Sequence, residues 1–404
     1  MVATVEDPSY PIVPKEELTR RHVALRRTLP GLDLDLMLVA TNPNLFYLTG
    51  SMQEGLLAVS DRTPQPTYFV KRVYERGRSE SVLDDVRPSV GPSKLCEALG
   101  IGPVKRLGLE LDAVPYAWAE RLRKGLGGEG MELVDVSTAI RGLRAAKSPW
   151  EVARIEEAAR QGDAAMERVA EALREGMTEL EVAIEVEVAM RKEGWEGFTR
   201  MHRFGSEMFL GSVLSGPSAA RPTFHQAVMG GWGLSPAMPH GASRRKVRRG
   251  EPVAVDVTGI HMGYVSDETR IFSVGPLSEE LRNGQRTAQE ILIAVVRELR
   301  PGVLNTRPWE LAAALARELG VAEGFMGVGR ERMRFIGHGV GLELDELPVL
   351  AEGSPGTVPD GATVAIEPKL VYTGVGVLGE ENTYVVAKDG TRQLTRARPG
   401  PIEV

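Results

Sequence analysis

The stretch EPVAVDVTGIHMGYVSDETRIF, residues 251–272, constrains the fold more than any other part of the chain. It alternates apolar residues around Asp256, passes through a glycine-containing segment at 259–263, and resumes with Tyr264-Val265-Ser266-Asp267. Two strands joined by a tight turn satisfy that pattern. Asp256 and Asp267 then lie near facing positions of one hairpin. A buried carboxylate without a partner is costly, and two close together repel each other. An apolar hairpin keeps such a pair only with the help of a cation. Taken by itself, the hairpin equally allows one surface aspartate and one turn aspartate.

Three further segments put polar residues where strands are normally apolar. FIGHGVG at 335–341 sets His338 between glycines, which let backbone or ligand come close. TVAIEP at 363–368 places Glu367 at the end of an apolar strand, and GEENTYVV at 379–386 places Glu381 at the start of another. Singly, each has an ordinary reading as a structural histidine or a strand-end carboxylate. Together with Asp256 and Asp267 they make four carboxylates and one imidazole, all on expected strands. Four negative charges suit two divalent ions, and the oxygen-rich set suits manganese or cobalt, with zinc and iron as alternatives, rather than a thiolate site.

Upstream, helices alternate with short apolar strands. A helix is expected over 15–28 and strands near 36–40, 55–60, 67–70, 106–110 and 133–136. A turn is expected at Asn42-Pro43-Asn44 before the run LFYLTG at 45–50, and helices at 93–99 and 116–126. This argues for an α/β domain, and it shows neither a phosphate-binding glycine fingerprint nor a catalytic cluster. Ser148-Pro149-Trp150-Glu151 then opens a long helix with a capping box, and Thr178 with Glu181 repeats the device. The domains are therefore expected at 1–147 and 148–404. Helices followed by strands recur at 149–275 and 278–386, which suggests a duplicated α+β unit.

The net charge of −6 and the lack of a basic run interleaved with aromatics exclude nucleic acid as the expected partner. RRKVRR at 244–249 reads as a solvated loop ahead of a strand. A single cysteine, Cys96, excludes a disulfide framework and fits a cytoplasmic protein. No apolar run approaches the roughly 20 residues of a membrane span, so no membrane association is expected.

DVTGIHMGYVSDETR, FIGHGVGLELDELP, AIEP and EENTYVV resemble, in this order, the signature segments of the creatinase, Xaa-Pro aminopeptidase, prolidase and methionine aminopeptidase family. LDLMLVATNPNLFYLTG resembles the creatinase-type N-terminal domain. The resemblance implies an α/β N-terminal domain followed by an α+β pita-bread catalytic domain with a pseudo-two-fold duplicated unit. It implies a hydrolase of peptide bonds next to proline, acting on small peptides. Asp256 would chelate one ion, Asp267 and Glu381 would bridge both, and His338 and Glu367 would complete the second. A hydroxide between the ions would be the nucleophile. Glu367 would also serve as catalytic proton shuttle, and His240 as a catalytic and substrate-contacting histidine. Two-domain members are usually homodimers in which one N-terminal domain borders the other subunit's site.

The chain also departs from the pattern. Asp345, in DELP, stands where the family keeps a second histidine, and Gly379 stands where an arginine often precedes the last bridging glutamate. An ionised aspartate cannot donate to an oxyanion, so Asp345 is expected either to turn toward a backbone amide or arginine, or to receive a cationic substrate group. The lost donor would then come from His240 or His202, and the polar 199–239 region is expected to shape the substrate pocket. Two other readings stand beside the peptidase: a creatinase-like hydrolase of a small amide or guanidino compound, and an inactive binding protein on the same scaffold.

Overall fold

The computed structural model describes residues 11–127 and 130–404. The chain divides into two compact units, Met1–Leu143 and Arg144–Val404. Among the described residues, no helix is long and apolar enough to cross a membrane.

In the first unit, strands β1 (Leu36–Val39), β2 (Gly55–Val59), β3 (Thr67–Val70), β4 (Val86–Pro88), β5 (Arg106–Leu109) and β6 (Glu132–Asp135) form one mixed sheet ordered β4-β3-β2-β1-β5-β6. The β1–β2 and β2–β3 pairs are antiparallel, and the other neighbours are parallel. Leu36, Leu38, Phe69, Leu107 and Leu109 are buried in its core. The helices Lys15–Thr28 and Tyr116–Leu126 lie where the apolar spacing places them. The turn expected at Asn42-Pro43-Asn44 is instead the first turn of a helix, Asn42–Thr49. Pro43 is tolerated there because that turn has no intrahelical donor to lose. Gly50, at φ +77, ends the helix by donating its N–H to the Phe46 carbonyl.

The second unit opens with the helices Pro149–Ala172 and Glu179–Lys192, each closed by its capping box. Ser148 Oγ accepts from the Glu151 amide at 3.2 Å, and the Glu151 carboxylate accepts from the Ser148 amide at 2.9 Å. The first helix ends at Ala172, and Gly176, with a φ of +87, lies in the turn into the next helix. A second helix pair, Glu279–Glu298 and Arg307–Glu318, precedes the later strands, so helices followed by antiparallel strands occur twice.

The strands of this unit are β7 (Gly211–Ser215), β8 (Val253–His261), β9 (Tyr264–Ser273), β10 (Phe335–Gly339), β11 (Glu346–Ala351), β12 (Ala362–Ile366), β13 (Lys369–Tyr372), β14 (Gly376–Gly379), β15 (Asn382–Ala387), β16 (Gly390–Gln393) and β17 (Ile402–Glu403). They form sheets ordered β17-β9-β8-β7 and β11-β10-β12-β15-β16, with β13-β14 as a separate ribbon. The two larger sheets meet where Thr269 and Glu381 exchange backbone hydrogen bonds of 3.3 and 3.2 Å. Strand β7 lies inside the polar 199–239 region, among glycines and serines that carry no strand pattern of their own.

The β8–β9 hairpin turns more tightly than the 259–263 segment suggests. His261 pairs with Tyr264, leaving Met262 and Gly263 as a two-residue loop with φ of +50 and +75. Positive φ at both positions is the geometry whose twist suits a hairpin. Glu196 accepts from both loop amides, at 2.6 and 2.9 Å, which offsets the cost of holding Met262 in this region.

A buried ionic knot fixes the 342–346 loop within this unit. The Arg144 guanidinium lies 2.8 Å from Glu343 and also bonds Glu346, while Lys147 reaches Glu346 at 3.1 Å. The Leu342 amide donates to the same Glu346 carboxylate at 2.7 Å. Burial alone would raise the Glu346 pKa, but Arg144 and Lys147 outweigh it and hold the group at about 2. The stabilisation is therefore complete above the unfolded value of 4.5 and is lost as pH falls toward 2. Glu346→Gln is expected to lower the urea midpoint at neutral pH, and the gap from the native chain should narrow as pH drops from 4.5 toward 2. A fragment beginning at Ser148 leaves Glu346 buried without either cation, so it is expected to unfold at lower urea than one beginning at Arg144. Equal midpoints for the two fragments would mean that the knot contributes nothing.

Candidate metal centre

The hairpin register sets the first two carboxylates. Asp256 faces Thr269 and Asp267 faces Thr258, so the aspartates are diagonal neighbours two positions apart rather than directly opposite. The Asp267 amide donates to Thr383 Oγ1 at 2.9 Å, and that hydroxyl donates back to the Asp267 carbonyl at 2.9 Å. This pair of hydrogen bonds to β15 brings Glu381 alongside. Thr269 Oγ1 donates to Glu381 Oε2 at 2.7 Å. His338, next to last in β10, pairs with Ala365 of β12, and Glu367 follows directly on the end of that strand at Ile366.

The side chains converge. His338 Nε2 lies 3.7 Å from Asp267 Oδ2 and 3.6 Å from Glu367 Oε1. Asp267, His338 and Glu381 offer ligand atoms all within 4.8 Å of one another. Asp267 Oδ1 and Glu381 Oε1 are buried with no hydrogen-bond partner among the described residues. Buried carboxylate oxygens facing a histidine nitrogen fit a divalent cation, which satisfies them without a donor from the protein. The donor set therefore accommodates at least one such ion.

Lys369 is the residue that sequence reasoning missed. Its Nζ lies 2.7 Å from Glu367 Oε2, 2.8 Å from Glu381 Oε2 and 3.3 Å from Asp256 Oδ2, with the side chain 3% exposed. The signal was a lysine heading the apolar strand KLVY, directly after the glutamate-proline pair. Burial works to lower its pKa, but the carboxylates of Asp256, Glu367 and Glu381 hold it well above the usual lysine range. Burial, then the neighbouring charges of Glu381 and Asp256, drives Asp267 well above the carboxylate range. Burial and Glu381 push Glu367 up to about 7. Glu381 goes the other way: burial opposes its ionisation, but Lys369 and His338 prevail.

A second group flanks Asp256. Ser212 of β7 is its partner across the ladder, and Ser212 Oγ is 3.2 Å from His240 Nε2. Thr223 Oγ1 lies 3.3 Å from His240 Nδ1, and the His225 ring packs 4.3 Å from the His240 ring. Burial, then His225, lowers the His240 pKa to about 4, so its ring is neutral at ordinary pH. His225 was not anticipated, and its Nε2 is buried without a partner among the described residues.

Comparison with known proteins agrees with this geometry. Residues 153–388 match the model of metallopeptidase family M24, and residues 21–146 match the creatinase/prolidase N-terminal domain. The chain belongs to metallopeptidase family M24. It is 28% identical to an Xaa-Pro dipeptidase of Pyrococcus horikoshii over 90% of this chain and 93% of that one. It is also 28% identical to an uncharacterized peptidase of Bacillus subtilis, over 92% and 97% of the two chains. The solved prolidase of Pyrococcus horikoshii superposes with a TM-score of 0.77 at 26% identity, covering 94% of this chain and 99% of that one. The second unit thus has the pita-bread fold, and the first is the creatinase-type domain.

Within this M24 chain, Asp345 takes the first of its two expected courses. Its Oδ1 accepts from the His202 amide at 2.6 Å and its Oδ2 from the Arg203 amide at 3.1 Å. His202 lies over the same loop, its Nδ1 3.7 Å from Glu343. Asp345 and His202 therefore join the 200–203 segment to the 342–346 loop, while His240 adjoins the carboxylates through Ser212. RRKVRR is a loop ahead of β8, with Arg245 paired to Glu251 at 2.6 Å. Asp345→Ala is expected to cost about 1 kcal/mol in urea unfolding, because two backbone amides lose a charged acceptor. No measurable change would show that these bonds exchange for water at no cost.

Proposed function

We propose that this chain is a metal-dependent peptidase that cleaves the bond next to proline in small substrates, as an Xaa-Pro dipeptidase or aminopeptidase. One observation carries the proposal: Asp267, His338 and Glu381 converge with unpartnered buried oxygens, in a chain similar over nine-tenths of its length to an Xaa-Pro dipeptidase. Asp256, Asp267, His338, Glu367 and Glu381 are the proposed ligands. Divalent ions there supply Lewis acidity and lower the pKa of the attacking water. The carboxylate-rich donors favour manganese or cobalt. The expectation of two such ions counts four carboxylates and makes no allowance for Lys369.

Glu367 is the proposed proton shuttle, taking a proton from the attacking water and passing it to the leaving amine. His240, neutral and oriented by Ser212 and Thr223, is the proposed donor to the carbonyl oxygen of the substrate. Asp345 is committed to backbone amides, so it leaves that role to His240. The reading extends to a homodimer and to the cytoplasm, the first carried by the family resemblance and the second supported by the single cysteine.

A creatinase-like hydrolase of a small amide or guanidino compound is the second reading. It is favoured by two departures from the family pattern, Asp345 and Gly379, and by the ammonium of Lys369 among the carboxylates. A panel of Xaa-Pro dipeptides, longer Xaa-Pro peptides and small amides, assayed with manganese, separates the two. His338→Ala and Asp267→Ala are expected to abolish turnover. His240→Ala is expected to lower kcat by about 10²–10³ while circular dichroism stays native. Full activity in protein stripped of metal by a chelator would sink the reading.

A further inference from the structure

We infer that the Lys369 ammonium is a built-in substitute for one of the two divalent ions, so that this chain holds a single ion beside it. This rests on the metallopeptidase reading above. Lys369 Nζ bonds oxygens of Glu367 and Glu381 and lies 3.3 Å from Asp256, whose carboxylate serves no other cation among the described residues. A divalent ion bound by Asp256 and Glu381 would have to occupy the same place. The lysine leaves other oxygens unbonded: Asp267 Oδ1 and Glu381 Oε1, both without a partner among the described residues, and Glu367 Oε1, which lies 3.6 Å from His338. The cluster is thus divided into an ammonium half and a half with four protein donors: Asp267, His338, Glu381 and Glu367.

Neighbouring strands are shaped to keep the lysine there. Lys369 pairs with Gly379 across the β13–β14 ribbon. A Cβ at position 379 would lie 3.0 Å from both Cα and Cγ of Lys369 and 2.5 Å from the Pro368 carbonyl oxygen. Any larger residue would crowd the lysine stem. Gln285 fixes Gly379 from the other side, donating to its carbonyl at 3.0 Å and accepting from its amide at 2.9 Å. The Lys369 backbone is held in turn by Met326, whose amide donates to the Lys369 carbonyl at 2.9 Å. The glycine that replaces a family arginine therefore makes room for a cation delivered from the paired strand.

The charges agree. Asp256, Asp267, Glu367 and Glu381 carry four negative charges when ionised, and one dication with the ammonium cancels all but one of them. Adding a second dication while keeping the lysine would leave surplus positive charge and place two cations within contact of the same oxygens.

The test is metal stoichiometry. The full chain is stripped with a chelator, dialysed against excess manganese(II), and its metal content measured by mass spectrometry alongside calorimetric titration. About one manganese per chain is expected for the native protein and for Lys369→Arg, and about two for Lys369→Gly, which frees the second position. Two ions in the native chain would overturn the inference, and if Xaa-Pro peptides are then cleaved, the peptidase reading stands without it. One ion in a folded Lys369→Gly variant would also overturn it, because the lysine would not be what excludes the second. No bound ion in the native chain would overturn both the inference and the metal-dependent reading. If Lys369→Gly fails to fold, the native count decides.

Discussion

Bringing four carboxylates together away from water is the constraint on which the catalytic unit depends. Each ion removed from water costs several kcal/mol even after relaxation, and the carboxylates also repel one another. Nothing in an apolar two-sheet core offsets that cost except positive charge placed among the oxygens. The structure supplies the Lys369 ammonium, and it leaves oxygens on Asp267 and Glu381, beside His338, for a cation that is not a side chain. Much of the surrounding hydrogen bonding makes sense as scaffolding for this arrangement. The two sheets are joined at Thr269, Glu381, Asp267 and Thr383, the residues that carry or contact the cluster.

A second level of organisation keeps the loops in place. The Arg144–Glu343–Glu346–Lys147 knot fixes the loop before β11, and through Asp345 that loop holds the amides of residues 202 and 203. Losing a donor histidine at position 345 has therefore not left a gap. The aspartate does a different job, as an acceptor of backbone groups rather than a donor to substrate. Two other histidines, His240 and His225, pack against each other with their rings tilted, and His240 reaches Ser212 of β7, the cross-strand partner of Asp256.

Much of this was legible in the sequence because it is written in local patterns. Capping boxes announced the helices at Pro149–Ala172 and Glu179–Lys192, and aspartates in an apolar hairpin announced the site. His338, Glu367 and Glu381 could be grouped because each interrupts a strand pattern. Lys369 could not be read the same way. A lysine at the start of a strand is ordinarily a solvated residue, and only the register with Gly379 turns it inward. Strand β7 was hidden for a related reason: its glycine and serines look like loop, and its place is set by pairing with β8. His225 gave no signal because its role depends on a loop folding back against His240. The segment 42–49 misled because its Asn-Pro-Asn start is equally a turn and a helix opening.

Arg270 shows how far the site extends. It is fully buried on β9 and donates to the carbonyls of Glu381, Ala397 and Arg398 and to the Asn382 side chain. Farther along, β17 pairs in parallel with the end of β9. The segment 395–403 thus lies as a clasp along β9, the strand that carries Asp267. Through Arg270 it is tied to the Glu381 carbonyl, in the backbone that carries one of the clustered carboxylates. A change made in that outlying segment for solubility or handling therefore acts, through Arg270, on the backbone beside the carboxylate cluster.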